Sequence, residues 1–359
     1  MWIPWRKPDH CFIAATPDEF KKDEPVKSIV ITTINSPTEA IEQLSRRTDG
    51  WPLIVIGDNK TPSNWAREGA RFVSIADQRE LDFQLAKLLP ENHYCRKNLG
   101  YLLAMAQGVD RLAETDDDNL PAGWPLEDAT RTVRGHLAKA DGWLNIYEYF
   151  TDELIWPRGY PLNKILPHSP VAVPTDPRQE WQSSVQQYLA AGDPDVDAVY
   201  RLTVGKDDHV FRDTTVGLDF GTVVPFNSQS TLWFSEAFPY LYLPSFVSFR
   251  MTDIWRSFVA QICLWAVGDR VTYHGKGVKQ VRNEHDLMRD YRDEVVGYDR
   301  NEEIVENLQR LQLSSNIVDG PANLLACYRE LKRIGIVPDK EIPLVEAWIA
   351  DVAKLTLKG

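Results

Sequence analysis

The chain has 359 residues, of which 43% are hydrophobic and 26% are charged, the balance of an ordinary globular protein. This length allows one large or two ordinary domains, and the composition excludes a disordered, collagenous or coiled-coil protein. Fifty-two acidic residues outnumber 40 basic ones, which gives a formal net charge of −12. This charge argues against nucleic acid as a partner.

The targeting and redox features of the chain are few. No apolar run reaches the length of a signal peptide or of a membrane-spanning helix. The four cysteines are scattered and form no Cys-x-x-Cys pair, so neither a zinc ribbon nor a dense disulfide framework is predicted. We therefore expect a cytoplasmic protein without a membrane span, and the sequence leaves a homo-oligomer open.

The first 120 residues alternate strand and helix patterns. β-Branched or apolar runs predict buried strands at residues 28–34, 53–56 and 71–75. Ser36 and Glu39 form a capping box with Pro37 at the first helical position, which predicts a helix to about residue 47. Further helices are expected at residues 77–89 and 96–108. Repeated β-α units of this length predict a mostly parallel sheet with helices on its faces.

The remainder of the chain has a different pattern. Residues 122–250 are rich in proline, glycine and aromatic residues, with strands expected at 198–204 and 231–234. Residues 252–267 are apolar nearly all round, which predicts a buried helix. From about residue 302 the chain is expected to be helical. The expected organisation is an N-terminal extension at 1–27, a catalytic domain at 28–270 and a helical C-terminal region at 271–359.

An acidic run at Asp116–Asp118 follows a predicted strand, and Asp58 follows another. Ligands of parallel sheets bind beyond the carboxyl ends of the strands. Three adjacent carboxylates repel each other, and a divalent cation such as magnesium or manganese relieves this repulsion. In a strand-like stretch Asp116 and Asp118 share a face and would bind one ion, while Asp117 points elsewhere. The alternative is a solvated acidic turn that caps a helix.

Two cationic motifs accompany the acidic run. Arg158 lies in the segment Trp-Pro-Arg-Gly-Tyr-Pro, where two prolines and a glycine fix it for fork-like pairing with phosphate or carboxylate. The alternative is a structural arginine in a salt bridge. Arg96, Lys97 and Asn98 begin a helix, where cations and backbone amides favour an anion; the alternative is a solvated helix start. No P-loop, Rossmann fingerprint or serine-hydrolase elbow is present.

Several segments together resemble the STELLO family of glycosyltransferase-like proteins. They cover most of residues 28–265, whereas residues 271–359 carry little of the resemblance. The segments are IVITTINSPTEA at 29–40, WPLIVIGDNKTPSNW at 51–65, RKNLGY at 96–101, ETDDDNLP at 114–121, IWPRGYPL at 155–162, PFNSQSTLW at 225–233 and residues 243–265. The plant members are membrane-anchored Golgi proteins. Since no span is predicted here, we do not carry over Golgi residence or a cellulose-synthase partner.

The acidic run and the segment at residues 158–161 also resemble the plant UDP-arabinopyranose mutases, in which this arginine accepts the sugar transiently. Both resemblances imply a GT-A-like fold that binds a nucleotide-diphosphate sugar with Mn or Mg at Asp116 and Asp118. The implied catalytic residues are Arg158, Asp117 and Asp253, and the alternative for Asp253 is a cap at the start of its helix. The implied nucleotide-sugar-binding residues are Thr32, Thr33, Ile34, Asp58, Arg96, Lys97, Asn98, Trp255 and Arg256.

Three functions follow as expectations. The first is a nucleotide-sugar pyranose–furanose mutase with Arg158 as transient glycosyl carrier, although a protonated arginine is a poor nucleophile and needs a carboxylate as base. The second is a STELLO-like glycosyltransferase that moves the sugar to a separate acceptor. The third is a non-catalytic scaffold, which the intact acidic run argues against.

Overall fold

The computed structural model describes residues 26–47, 50–173, 179–281 and 286–356. Nearly all of the expected extension at 1–27 lies outside them. The strands are β1 Lys27–Thr32, β2 Leu53–Ile56, β3 Ala70–Val73, β4 Arg111–Thr115, β5 Asn119–Leu120, β6 Thr132–Ala138, β7 Gly142–Trp143, β8 Gln179–Gln182, β9 Val185–Tyr188, β10 Ala191–Gly192, β11 Thr215–Leu218, β12 Thr222–Val223, β13 Ser230–Phe234, β14 Val271–His274 and β15 Lys279–Gln280. The α-helices are α1 Glu39–Ser45, α2 Ile75–Arg79, α3 Lys97–Met105, α4 Ala198–Thr203, α5 Thr252–Ala266, α6 Leu287–Gln309, α7 Gly320–Arg333 and α8 Ile342–Thr356.

A ten-stranded sheet in the order β3-β2-β1-β4-β13-β9-β14-β11-β6-β8 organises the protein. Its first four strands are parallel, as the β-α pattern predicts. From β13 onward the sheet is mixed, because β13 pairs antiparallel with both β4 and β9. The predicted α/β, GT-A-like fold is confirmed, with a parallel half and a mixed half.

The parallel half is buried on both faces. Alternate residues of β1 point to opposite sides, so Val30 joins one hydrophobic cluster while Ile29 and Ile31 join another. Gly100 of α3 lets that helix lie directly on the sheet, since a Cβ there would come within 2.4 Å of the Val30 Cγ1. The helix α3, which begins at Lys97, is thereby packed against β1 and β2.

Three of the predicted elements differ from those in the structure. Thr38 rather than Ser36 is the N-cap of α1, because its side chain accepts from the Ile41 amide. Residues 77–89 do not form one helix, since α2 ends at Arg79 and a separate short 3₁₀ helix follows. Residues 198–203 are helical rather than extended, because Asp197 caps the Tyr200 amide.

The C-terminal part of the chain completes the sheet before it becomes helical. Strand β14 lies between β9 and β11, so the sheet extends past the boundary expected at residue 271. The helices α6, α7 and α8 follow, and α6 and α7 pack against the buried helix α5. The expected helical region therefore begins at Leu287. Within the described residues, no helix has both the length and the apolar character needed to cross a bilayer.

Candidate functional site

The candidate site lies at the carboxyl ends of β1, β2 and β4. Strand β4 ends at Thr115, and the three aspartates that follow form a turn rather than the strand-like stretch that we expected. Thr115 pairs with Ser230 of the antiparallel strand β13. This register brings the residues before β13 alongside the acidic turn.

Asp116 is held by groups that lie on α3 and just before it. Its Oδ1 accepts hydrogen bonds from the Lys97 Nζ at 3.1 Å and the Tyr94 hydroxyl at 3.0 Å. Lys97 is completely buried, and its Nζ also donates to the Thr115 carbonyl at 2.7 Å. Lys97, which the sequence predicted as an anion-binding cation at the start of α3, therefore stabilises the acidic turn.

The other two carboxylates point in different directions. Asp117 accepts from the Thr33 hydroxyl at 2.5 Å and the Asn35 amide at 3.0 Å. These bonds attach the turn to the loop after β1. Asp118 lies on the opposite side, where the Gln280 amide of β15 donates to its Oδ2 at 3.4 Å.

The electrostatics of the turn favour a cation. Burial, followed by the charges of Asp116 and Asp117, raises the pKa of Asp118 to about 7. Burial also raises the pKa of Asp116, although Lys97 opposes this shift. The described residues contain no cluster of three or more His, Cys, Asp or Glu side chains that could hold a metal ion. Carboxylate oxygens are ligands that magnesium and manganese prefer, so Asp116 and Asp118 are the side chains of this turn with the chemistry to take part in such a site.

Arg158 is a buried ion-pair hub. Its Nε and one terminal nitrogen donate to the two oxygens of Asp195 at 2.8 Å each. Both terminal nitrogens donate to Asp253, at 3.1 and 3.0 Å, and one also donates to the Arg250 carbonyl. All five guanidinium N–H groups therefore have acceptors within the protein.

The surroundings of Arg158 keep it protonated. Burial alone would lower the pKa of Arg158, but the charges of Asp195 and Asp253 outweigh this effect. The pKa is therefore well above the ordinary value of arginine. Burial raises the pKa of Asp253, and Arg158 outweighs this effect and lowers it to about 2. The cavity lined by Arg158, Asp195 and Gln187 measures about 10 Å³, which is room for one water molecule.

Several predicted binding residues point into the core. Arg256 pairs with Glu114 at 2.7 and 3.0 Å, and the Trp255 indole donates to Asn301. Both amide atoms of Asn98 bond the backbone of Leu243. These three side chains are buried, and their hydrogen-bond partners lie within the protein.

The remaining predicted residues have mixed surroundings. Arg96 is buried and donates to Gln78 at 2.6 Å. The Asp58 carboxylate accepts from the backbone amides of Asn92 and His93 at 2.8 and 2.9 Å, so it fixes the loop before α3. Ile34 is exposed beyond the end of β1, whereas Thr32 is half-buried and Thr33 is buried.

Sequence reasoning missed four residues that complete the site. The missed residues are Tyr94, Asp195, Ser228 and Gln280. Ser228 lies inside the PFNSQSTLW segment and Tyr94 precedes the Arg-Lys-Asn motif, so each had a weak signal. Asp195 and Gln280 had none, because long-range strand pairing and loop packing bring them to the site.

A mixed α/β sheet with an acidic turn at the end of a parallel strand is the architecture of GT-A-like nucleotide-sugar proteins. The family model of the STELLO glycosyltransferases matches residues 250–358. Probable glycosyltransferase STELLO2 of Arabidopsis thaliana is 30% identical over 272 residues, and probable glycosyltransferase STELLO1 of the same plant is 29% identical. The alignments cover 69% of this chain but only 35% and 34% of those proteins. The chain therefore spans about a third of the curated relatives that it matches.

These comparisons confirm the resemblance to the STELLO family and correct its extent. The sequence suggested that residues 271–359 carry little of the likeness, yet the family match begins at residue 250 and runs to 358. The matched region includes Asp253 of the ion-pair hub and Gln280 beside the acidic turn. The C-terminal region is thus part of the likeness and contributes to the site.

Proposed function

We propose that this protein is a metal-dependent glycosyltransferase that takes a nucleotide-diphosphate sugar as donor. The observation that carries the proposal is the half-buried acidic turn at the end of β4, in a chain that resembles the STELLO glycosyltransferases. In such a reaction the anomeric C–O bond breaks, and the diphosphate leaves with the electron pair. The acceptor oxygen forms the new bond and releases its proton.

Asp116 and Asp118 are the residues that would hold the magnesium or manganese ion. When bound, the ion supplies positive charge to the diphosphate that leaves. Burial, followed by the charges of Asp116 and Asp117, raises the pKa of Asp118, and a cation beside this carboxylate would favour its ionised form. Asp117 orders the turn through Thr33 instead of facing the same way.

The structure gives less support to the mutase with Arg158 as carrier that the sequence placed first. A guanidinium nitrogen must lose its proton to attack a sugar, yet two carboxylates accept all but one of its hydrogen bonds and hold the pKa high. A cavity of one water molecule also leaves no room for a sugar beside it. We therefore assign Arg158 a structural role, and the resemblance to glycosyltransferases supports the transferase.

Incubation with a panel of nucleotide sugars, manganese and a mixture of mono- and oligosaccharide acceptors tests the proposal. A transferase releases nucleoside diphosphate and yields a glycosylated acceptor in equal amounts. A mutase yields an isomeric nucleotide sugar and no free diphosphate. Asp118→Ala should abolish product formation, whereas Asp339→Asn, at an exposed aspartate of the C-terminal region, should not.

A further inference from the structure

A continuous chain of hydrogen bonds joins the acidic turn to the Arg158 hub. The Tyr94 hydroxyl contacts the Asp116 Oδ1 at 3.0 Å and the Ser228 Oγ at 2.5 Å. Ser228 reaches the Asp253 Oδ2 at 3.3 Å through both its backbone amide and its hydroxyl. Asp253 in turn accepts from Arg158. Two hydroxyl groups therefore link one predicted metal ligand to the ion-pair hub.

The geometry leaves little freedom at either hydroxyl. The Lys97 Nζ donates to the Tyr94 oxygen at 2.8 Å and to the Ser228 carbonyl at 3.3 Å. Lys97 is completely buried and Ser228 is 1% exposed, so bulk water does not replace these contacts. A lysine ammonium has three protons and no lone pair, which means that it can only donate. The Tyr94 oxygen thus accepts a hydrogen bond from Lys97, and the Tyr94 hydroxyl can donate one hydrogen bond of its own.

Two acceptors compete for that single proton. The Tyr94 hydroxyl can donate to Asp116, in which case the Ser228 hydroxyl is free to donate to the Tyr94 oxygen. Alternatively, the Tyr94 hydroxyl donates to Ser228, and the Ser228 hydroxyl donates to Asp253. In either arrangement Asp116 keeps its bond to Lys97 at 3.1 Å. Only in the first arrangement does Asp116 receive a second hydrogen bond, from Tyr94, and Ser228 favours that arrangement because its hydroxyl then donates to the Tyr94 oxygen.

We propose that Tyr94 and Ser228 are positioning residues that hold Asp116 for a cation and its diphosphate and anchor it to the Arg158–Asp253 pair. This inference depends on the proposed metal-dependent function. It also gives Arg158 a part in the site without contact to the sugar. Partners of this kind orient a ligand carboxylate, and their removal typically costs 10- to 100-fold in metal affinity.

Calorimetry with manganese and a nucleoside diphosphate measures this effect without catalysis. UDP, GDP and ADP are each titrated with and without manganese, so the test does not depend on the base. Tyr94→Phe and Ser228→Ala should each weaken the manganese-dependent affinity about tenfold and leave the metal-free affinity unchanged. The double variant should lose no more affinity than the single variant with the larger loss, because both changes interrupt the same chain of hydrogen bonds.

Tyr328→Phe is the matched control, since it removes a buried tyrosine hydroxyl whose partner is the Tyr242 carbonyl of the C-terminal region. It should leave both affinities unchanged. If Tyr94→Phe does not fold, Ser228→Ala decides the question by the same measurement.

The two proposals fail in different ways. If manganese does not tighten diphosphate binding to the wild type, the metal-dependent function is wrong. If manganese tightens binding equally in the wild type, Tyr94→Phe and Ser228→Ala, the positioning role is overturned while the metal site stands. Equal losses of metal-free and manganese-dependent affinity also overturn it, because they indicate a general structural defect.

Discussion

The indole Nε1 of Trp156 donates a 2.7 Å hydrogen bond to the Asp197 carboxylate. Two residues after Trp156, the backbone amide of Arg158 donates to the Asp195 carbonyl, and its guanidinium donates to the Asp195 carboxylate. Alternate residues of the Trp-Pro-Arg-Gly segment are thus attached to alternate residues around the start of α4. The loop that carries Arg158 and the loop before α4 therefore hold each other, and Asp253 of α5 completes the ion-pair hub.

Asp197 gives this junction a pH dependence. Burial raises its pKa from 3.8 to about 7, although hydrogen bonds from Tyr200 and Trp156 oppose the shift. Between these pH values the folded protein keeps a proton that the unfolded chain releases. The contribution of Asp197 to the free energy of unfolding is therefore greatest below about pH 4 and falls, by a few kcal/mol at most, as the pH rises to 7.

Urea unfolding of the wild type and Asp197→Asn between pH 4.5 and 7.5 checks this expectation. The difference in unfolding free energy between the two proteins should change steadily across this range. Asp286→Asn, the same change at the exposed N-cap of α6, serves as control. A constant difference between wild type and Asp197→Asn would contradict the prediction.

Removal of the Arg158 guanidinium should destabilise the fold more than its replacement by another cation. Arg158→Ala leaves Asp195 and Asp253 buried without their partner, and we expect a loss of about 3–5 kcal/mol in unfolding free energy. Arg158→Lys keeps one charge but cannot bond both carboxylates in parallel, so its loss should be smaller.

Intact mass spectrometry of the wild type after brief exposure to nucleotide sugars complements these variants. We expect no glycosyl adduct, because the guanidinium is saturated with hydrogen bonds. An adduct of one sugar unit that is absent in Arg158→Lys would reinstate the mutase with a covalent carrier.

The Arg256–Glu114 pair offers a test of the predicted residues that point into the core. Arg256 is 1% exposed, and its partner is fully buried on β4. Arg256→Ala should therefore lower the unfolding free energy by about 3–5 kcal/mol. If the variant folds at low temperature, its manganese-dependent diphosphate affinity should match that of the wild type. A selective loss of that affinity would place Arg256 in the binding site after all.

Gly100 controls the distance between α3 and the sheet. A methyl group at this position would meet the side chains of Val30 and Ile56 at 2.4 and 3.0 Å. Gly100→Ala should therefore cost about 1–3 kcal/mol despite the better helix propensity of alanine. Thermal unfolding measures the loss, and Gly108→Ala is not a suitable control because its φ is +74°. An unchanged or higher midpoint would show that the helix can move outward freely.

Local patterns were sufficient for the strands of the parallel half of the sheet. The β-branched run before Thr33 and the apolar run before Asp58 are short and are followed by turn residues, which favours buried strands, and the acidic turn follows β4. The helix α5 is a more instructive case. Its apolar residues lie nearly all round, which predicted burial, and the same burial applies to Trp255 and Arg256 on that helix. The family resemblance suggested that these two residues bind the nucleotide sugar, but the burial of their helix places both side chains in the core.

The rest of the site depends on contacts between distant parts of the chain. Asp195 is 37 residues from Arg158, and Ser228 is 134 residues from Tyr94. No local spacing encodes either pair. The salt-bridge alternative for Arg158 was visible in the sequence, but the identity of its carboxylate partners required the structure.

The place of β14 in the sheet also determines when the protein can assemble during synthesis. Strands β9 and β11 have no direct contact in the sheet order, since β14 separates them. Until β14 has been synthesised and has emerged from the ribosome, each of these two strands therefore has one unpaired edge. The four parallel strands can associate much earlier, and the nascent chain carries its open edges for more than 50 residues of translation. Chaperone dependence during synthesis should accordingly be concentrated on the second half of the sheet.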